Sequence, residues 1–235
     1  MIYLTVVLLA IVIGYPVSDY YYMKKADLQN KPKMYWNIII PQWVIVWIIL
    51  SYWAWTGRSV SELFFVKDPL LSSQAGHLKD IGLGAVTAGV LLALAVIFSK
   101  KLKEKISIYF SSQLDEVRFM LPTTLKERVL FVGVALTAGF CEEVIFRGVM
   151  LYYVGQLPFD LSVIAIVIVL SMLFGIVHLY QGWSGVLSTA YLGGLLLVVY
   201  LITGNLWISI ALHFLIDVKF VFFPNKTSQT GQEDG

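Results

Sequence analysis

Apolar positions in this chain come in runs separated by short polar stretches, the pattern of successive membrane helices. The runs fall near 2–22, 34–56, 78–99, 129–154, 161–180, 184–203 and 205–223. They predict an all-α polytopic membrane protein with about seven transmembrane helices. The last two runs are separated by Thr203, Gly204 and Asn205 alone, which predicts a helical hairpin. The first lacks a basic leading region and a small-residue cleavage site, so it reads as a retained helix rather than a signal peptide, with Pro16 and Asp19 marking its far end. No internal repeat is visible.

Composition narrows the function classes. Of 235 residues, 58% are apolar and 14% charged, against about 25% charged in soluble domains, and the mean hydropathy is +0.78. No room is left for a large soluble domain. The net charge of +2 comes from 17 basic and 15 acidic side chains without a basic stripe, which excludes nucleic acid as a partner. A single cysteine, Cys141, excludes an intramolecular disulfide, and no Cys-x-x-Cys tract suggests structural zinc. Beside Glu142, Cys141 reads as a small buried apolar residue rather than a nucleophile.

Lys24, Lys25, Lys31 and Lys33 crowd the first loop, and Lys100, Lys101, Lys103, Lys105, Arg118, Lys126 and Arg128 crowd the third. Loops rich in Lys and Arg stay cytoplasmic. With seven crossings, the amino terminus is expected outside the cell membrane and the carboxyl terminus, near Lys219 and Lys226, inside. The segments 57–73 and 106–125 mix apolar with charged residues, as interfacial segments do. The tail 224–235 has no apolar residue to bury and is expected to be disordered.

Six ionisable residues fall inside the apolar runs: Glu142, Glu143 and Arg147 in the fourth, His178 in the fifth, His213 and Asp217 in the seventh. A charge near the bilayer centre costs at least about 2.5 kcal/mol, so such groups face the bundle interior and mark functional sites. Glu143 and Arg147 stand at i and i+4, in the favourable order for an ion pair. Glu142 lies about 100° round the helix, free to point at other helices. His213 and Asp217 are also i and i+4, so the carboxyl group is expected to hold the imidazole in one tautomer. Phe174 shares a face with His178. Helix association is achieved more cheaply with small residues, as Gly193 and Gly194 suggest; a charge network therefore reads as a site.

Glu142-Glu143-Val144-Ile145-Phe146-Arg147-Gly148, Phe174-Gly175-Ile176-Val177-His178 and His213-Phe214-Leu215-Ile216-Asp217 resemble the three signature motifs of the CPBP family of intramembrane proteases. This family is also called the ABI or CAAX-protease-and-bacteriocin-processing family, and includes type II CAAX prenyl endopeptidases. The resemblance implies a four-helix catalytic core over 126–223, preceded by an N-terminal membrane region, 1–125, of about three transmembrane helices. It implies an endopeptidase acting on membrane-associated peptides or proteins in the lipid bilayer. Glu142 and His178 would activate water, His213 and Asp217 would stabilise the oxyanion, and Glu143, Arg147 and Phe174 would support them.

At the last position, the well-studied CAAX-processing members carry Asn and bacterial relatives carry either Asn or Asp, whereas this chain has Asp217, and an ionised carboxylate cannot donate a hydrogen bond. Either Asp217 is protonated, or it orients His213, which donates alone. No metal is expected. Were zinc present, Glu142, His178 and His213 would be its ligands, but the string His-Glu-x-x-His is absent and Arg147 disfavours a divalent cation.

Other readings explain less. Gly182-Trp183-Ser184-Gly185 resembles the nucleophile motif of rhomboid serine proteases, but leaves Glu142, Glu143, Arg147 and His178 unexplained; Ser184 reads more simply as the cap of the sixth helix. A presenilin-like pair would draw on Asp19 and Asp217 but lacks its Gly-x-Gly-Asp signature. Proton-coupled transport lacks the inverted repeat. Some members of the resembled family are assigned to bacteriocin immunity, so a non-proteolytic scaffold or membrane protein partner is the alternative.

Overall fold

The computed structural model describes residues 2–25, 30–71, 99 and 118–222. Regular structure among them is helical. The chain starts with α1 (Ile2–Leu9), widens into a π-helical stretch at Ala10–Gly14, and continues as α2 (Tyr15–Lys25). This helix runs past Pro16 and Asp19, which were expected to end it. Pro16 lies two residues beyond the end of the π stretch, beside a locally irregular turn where a missing N–H disturbs the ladder least.

The helix α3 (Lys31–Trp55) begins earlier than its apolar run because Asn30 caps it, accepting the Lys33 N–H at 3.2 Å, with Pro32 in the first turn. A short helix, α4 (Ser61–Phe64), occupies the segment expected to lie at the interface. It docks on protein, burying Leu63 and Phe64. A capping box of Thr124 and Glu127 starts α5 (Leu125–Glu143), which passes through a π-helical stretch at Val144–Met150 into α6 (Leu151–Val154). Then come α7 (Val163–Ile176), α8 (Gly182–Thr203) and α9 (Leu206–Val218).

The hairpin expected at Thr203 to Asn205 is present. Gly204 takes φ 62 to close α8, and Asn205 caps α9 by accepting the Trp207 N–H. The segment after α4 straps this turn: Val66 N–H donates to Gly204 O and Leu71 N–H to Leu201 O, each at 2.8 Å. A Cβ at position 204 would lie 2.5 Å from Val66 O.

The helix α7 packs on α8, and α5 packs on both α3 and α9. Two glycines permit the close approaches. A Cβ at Gly175 would meet Val186 O of α8 at 2.5 Å, and one at Gly139 would meet Phe214 N of α9 at 3.1 Å.

Among the described residues, three helices are long and apolar enough to cross a membrane, Lys31–Trp55, Leu125–Val154 and Leu179–Thr203, and two shorter apolar ones are Tyr3–Ser18 and Val163–Ile176. Val6, Ile13, Val44, Trp47, Ile168, Leu187 and Leu215 face outward, as lipid-facing positions do. The protein is an all-helical membrane protein. The third expected span, 78–99, apart from Ser99, together with the Lys-rich 100–105 and the tail, lies outside the described residues. The fifth expected span is shorter than its apolar run, α7 having 14 residues, which reach about 21 Å, whereas α9 continues as a 3₁₀ turn to Phe222, close to the end of the seventh run.

Candidate active site

Glu142 and Glu143 close α5, and Arg147 follows one turn later in the π-helical stretch, an irregularity frequent at functional sites. Arg147 Nη1 lies 3.1 Å from Glu143 Oε1, and its Nη2 donates to Gly193 O of α8 at 2.8 Å. The guanidinium rests 4.2 Å from the Phe174 ring centroid. Glu143 is 0% and Arg147 2% exposed, so the pair is sealed from solvent. Gly193, read from sequence as a helix-association residue, is part of this seat. A Cβ there would stand 2.5 Å from Phe174 Cδ1 and 3.2 Å from Arg147 Nη2.

His213, on α9, joins the same network. Its Nδ1 donates to Glu143 Oε1 at 2.8 Å, while its Nε2 lies 3.6 Å from Asp217 Oδ2. The expectation that Asp217 fixes the His213 tautomer is therefore corrected: Glu143, from another helix, occupies Nδ1. An ionised carboxylate opposite Arg147 can only accept, so Nδ1 carries the proton.

His178 is the second correction. The expected fifth helix ends at Ile176, and His178 stands beyond it, at the head of the 3₁₀ turn Leu179–Gln181. Its Nδ1 is 2.8 Å from Phe174 O. A carbonyl only accepts, so Nδ1 again carries the proton and Nε2 is turned toward Glu142, 3.6 Å from Oε2. The Phe174 ring touches both imidazoles, at centroid distances of 4.9 Å to His178 and 6.1 Å to His213. The other oxygen of Glu142, Oε1, receives Gln42 Nε2 from α3 at 3.4 Å. Sequence reasoning missed Gln42; the available signal was an amide inside an apolar run.

Glu142, His178, His213 and Asp217 line one cavity of about 1050 Å³, whose remaining wall is largely apolar. Residues 124–218 match the family model described as type II CAAX prenyl endopeptidase, Rce1-like. The chain carries an Rce1-like domain. No curated protein and no solved structure matches the chain.

The match supports the resemblance of the sequence motifs to a CAAX-type intramembrane protease family. All six ionisable residues lie inside the match, whereas Gln42 lies outside. Ser184 also lines the cavity, but Gln181, not Ser184, is the residue that precedes α8, so Ser184 sits within its first turn. Cys141 is buried with 0% exposure and is not part of the cavity wall. Among the described residues, no three His, Cys, Asp or Glu side chains converge as ligands of one metal ion. Glu143 and Phe174 O hold the two Nδ1 atoms, and each Nε2 faces a carboxylate, that of His178 toward Glu142 and that of His213 toward Asp217.

Proposed function

We propose that this protein is an intramembrane endopeptidase in which Glu142 and His178 activate water without a metal, and that its substrates are membrane-associated peptides or proteins. The carrying observation is the pair Glu142 Oε2 and His178 Nε2, 3.6 Å apart on the wall of a largely apolar cavity. With Nδ1 protonated against Phe174 O, neutral His178 presents an acceptor to an acceptor. A water molecule satisfies both by donating one O–H to each, which leaves its lone pair for the scissile carbonyl carbon.

In this mechanism Glu142 takes the water proton as the new C–O bond forms and the carbonyl π electrons move onto oxygen. The C–N bond then breaks, and Glu142 returns the proton to the leaving amine. His213 sits on the opposite carboxylates. With Nδ1–H given to Glu143, it donates from Nε2 to the oxyanion as the doubly protonated ring, balanced by Glu143 and Asp217. Asp217 then needs no proton of its own to donate, which accommodates an acid where related proteases carry an amide. Glu143, Arg147 and Phe174 hold the imidazoles in place.

Peptide-library cleavage by detergent-purified protein, with Glu142→Gln as control, tests the reading. Wild type should cleave and Glu142→Gln should be silent with nearly unchanged melting. Wild-type protein that cleaves nothing, or a Glu142→Gln variant as active as wild type, would favour a non-proteolytic scaffold instead.

A further inference from the structure

Gln42 brings the chain before the Rce1-like domain into the site. It follows Pro41 in α3, is 8% exposed, and lines the cavity. Its register is fixed by its neighbour: Trp43 Nε1 donates to Thr137 Oγ1 of α5 at 3.1 Å, and its indole stacks on Phe140 with centroids 5.2 Å apart. Two helical turns before it Met34 is buried, and one and two turns after it Val46 and Ile49 are buried. The face that carries Gln42 is thus clamped to α5.

The side chain is only half satisfied. Its Nε2 reaches Glu142 Oε1 at 3.4 Å, while its Oε1 is buried without a protein donor. A buried amide with an unpaired oxygen costs stability relative to an apolar group of the same shape. Packing alone therefore does not account for a glutamine here. Glu142, for its part, takes no hydrogen bond from Arg147, whose partner is Glu143. With a donor on Oε1, the Glu142 carboxylate is held so that Oε2 faces His178.

We propose that Gln42 is a positioning residue for Glu142, fixing the carboxylate plane so that Oε2 meets the attacking water. The inference rests on the reading of Glu142 as general base. It extends the working site beyond residues 124–218 and gives α3 a part in the reaction.

Gln42→Met keeps length and bulk but removes both polar atoms; Gln42→Glu keeps the shape but replaces the donor. Each is purified in detergent and assayed with the library peptide that wild type cleaves best. For Gln42→Met, kcat should fall between about 10-fold and 100-fold, as for other groups that orient a reacting side chain. KM should change little, and the melting temperature should be unchanged or higher. Gln42→Glu should also lose kcat, since an ionised carboxylate cannot donate to Glu142. Wild-type kcat in either variant overturns the proposal, as does a loss of kcat that tracks lowered melting in both, which marks a structural role. An inactive wild type removes the reading of Glu142 and this inference with it, whereas an active wild type with indifferent Gln42 variants removes this inference alone.

Discussion

Arg147 and Glu142 are separated by little more than a helical turn, yet the structure gives them opposite kinds of work. Arg147 is sealed between Glu143, Gly193 O and the Phe174 ring, whereas Glu142 faces the cavity. Truncating Arg147 takes the guanidinium away from buried Glu143 and leaves it His213 alone, a loss of about 3 to 5 kcal/mol. Arg147→Ala should therefore lower folded yield and melting in detergent, while Glu142→Gln should melt close to wild type. Equal destabilisation of the two variants would contradict this division. The Glu143–Arg147 pair was legible in sequence because i and i+4 positions meet on one helix. The His213–Glu143 bond was not, because its partners are 70 positions apart and spacing within α9 offered only Asp217. Gln42 was hidden for the same reason: nothing in its own helix shows that α3 lies against α5.

At the level of elements, glycines set the distances that the site needs. A methyl group at 193 would collide with Phe174 and crowd Arg147, while one at Gly14 meets nothing within 4 Å. Gly193→Ala should cost about 1 to 3 kcal/mol as overpacking and should lower cleavage by shifting the ring that touches both histidines. Gly14→Ala should melt like wild type or slightly higher, since alanine favours a helix. Thermal melting of the two variants side by side checks the contrast; equal destabilisation would place the cost in the substitution rather than in the Phe174 seat. Sequence showed the α8–α9 hairpin, where a left-handed glycine and an asparagine cap stand together. It missed the end of α7, because Ile176 and Val177 continue the apolar run and no breaker stops it before His178. There the histidine ring itself binds the last-turn carbonyl of Phe174.

For the molecule as a whole, hydropathy alone identified a helical membrane protein, and the outward apolar residues agree with it. The number of crossings was less legible, since apolar run length overstated α7, and spacing along the chain does not show the strap that Leu63, Val66 and Leu71 make over the α8–α9 turn. The basic residues of the first and third loops support an amino terminus outside and a carboxyl terminus in the cytoplasm. Lys31→Cys and Lys101→Cys should then be labelled by an impermeant thiol reagent from the same side. Cys141, being buried, should not interfere. Labelling from opposite sides would mean a missed or a false span between residues 34 and 99.

The central claim is that a carboxylate and an imidazole activate water without a metal. Elemental analysis of purified protein, carried through chelation while cleavage is followed, tests it most directly. The account predicts no stoichiometric metal and cleavage that survives the chelator. One tightly held zinc per chain, with activity lost on its removal and restored by its return, would contradict the account and recast Glu142, His178 and His213 as ligands.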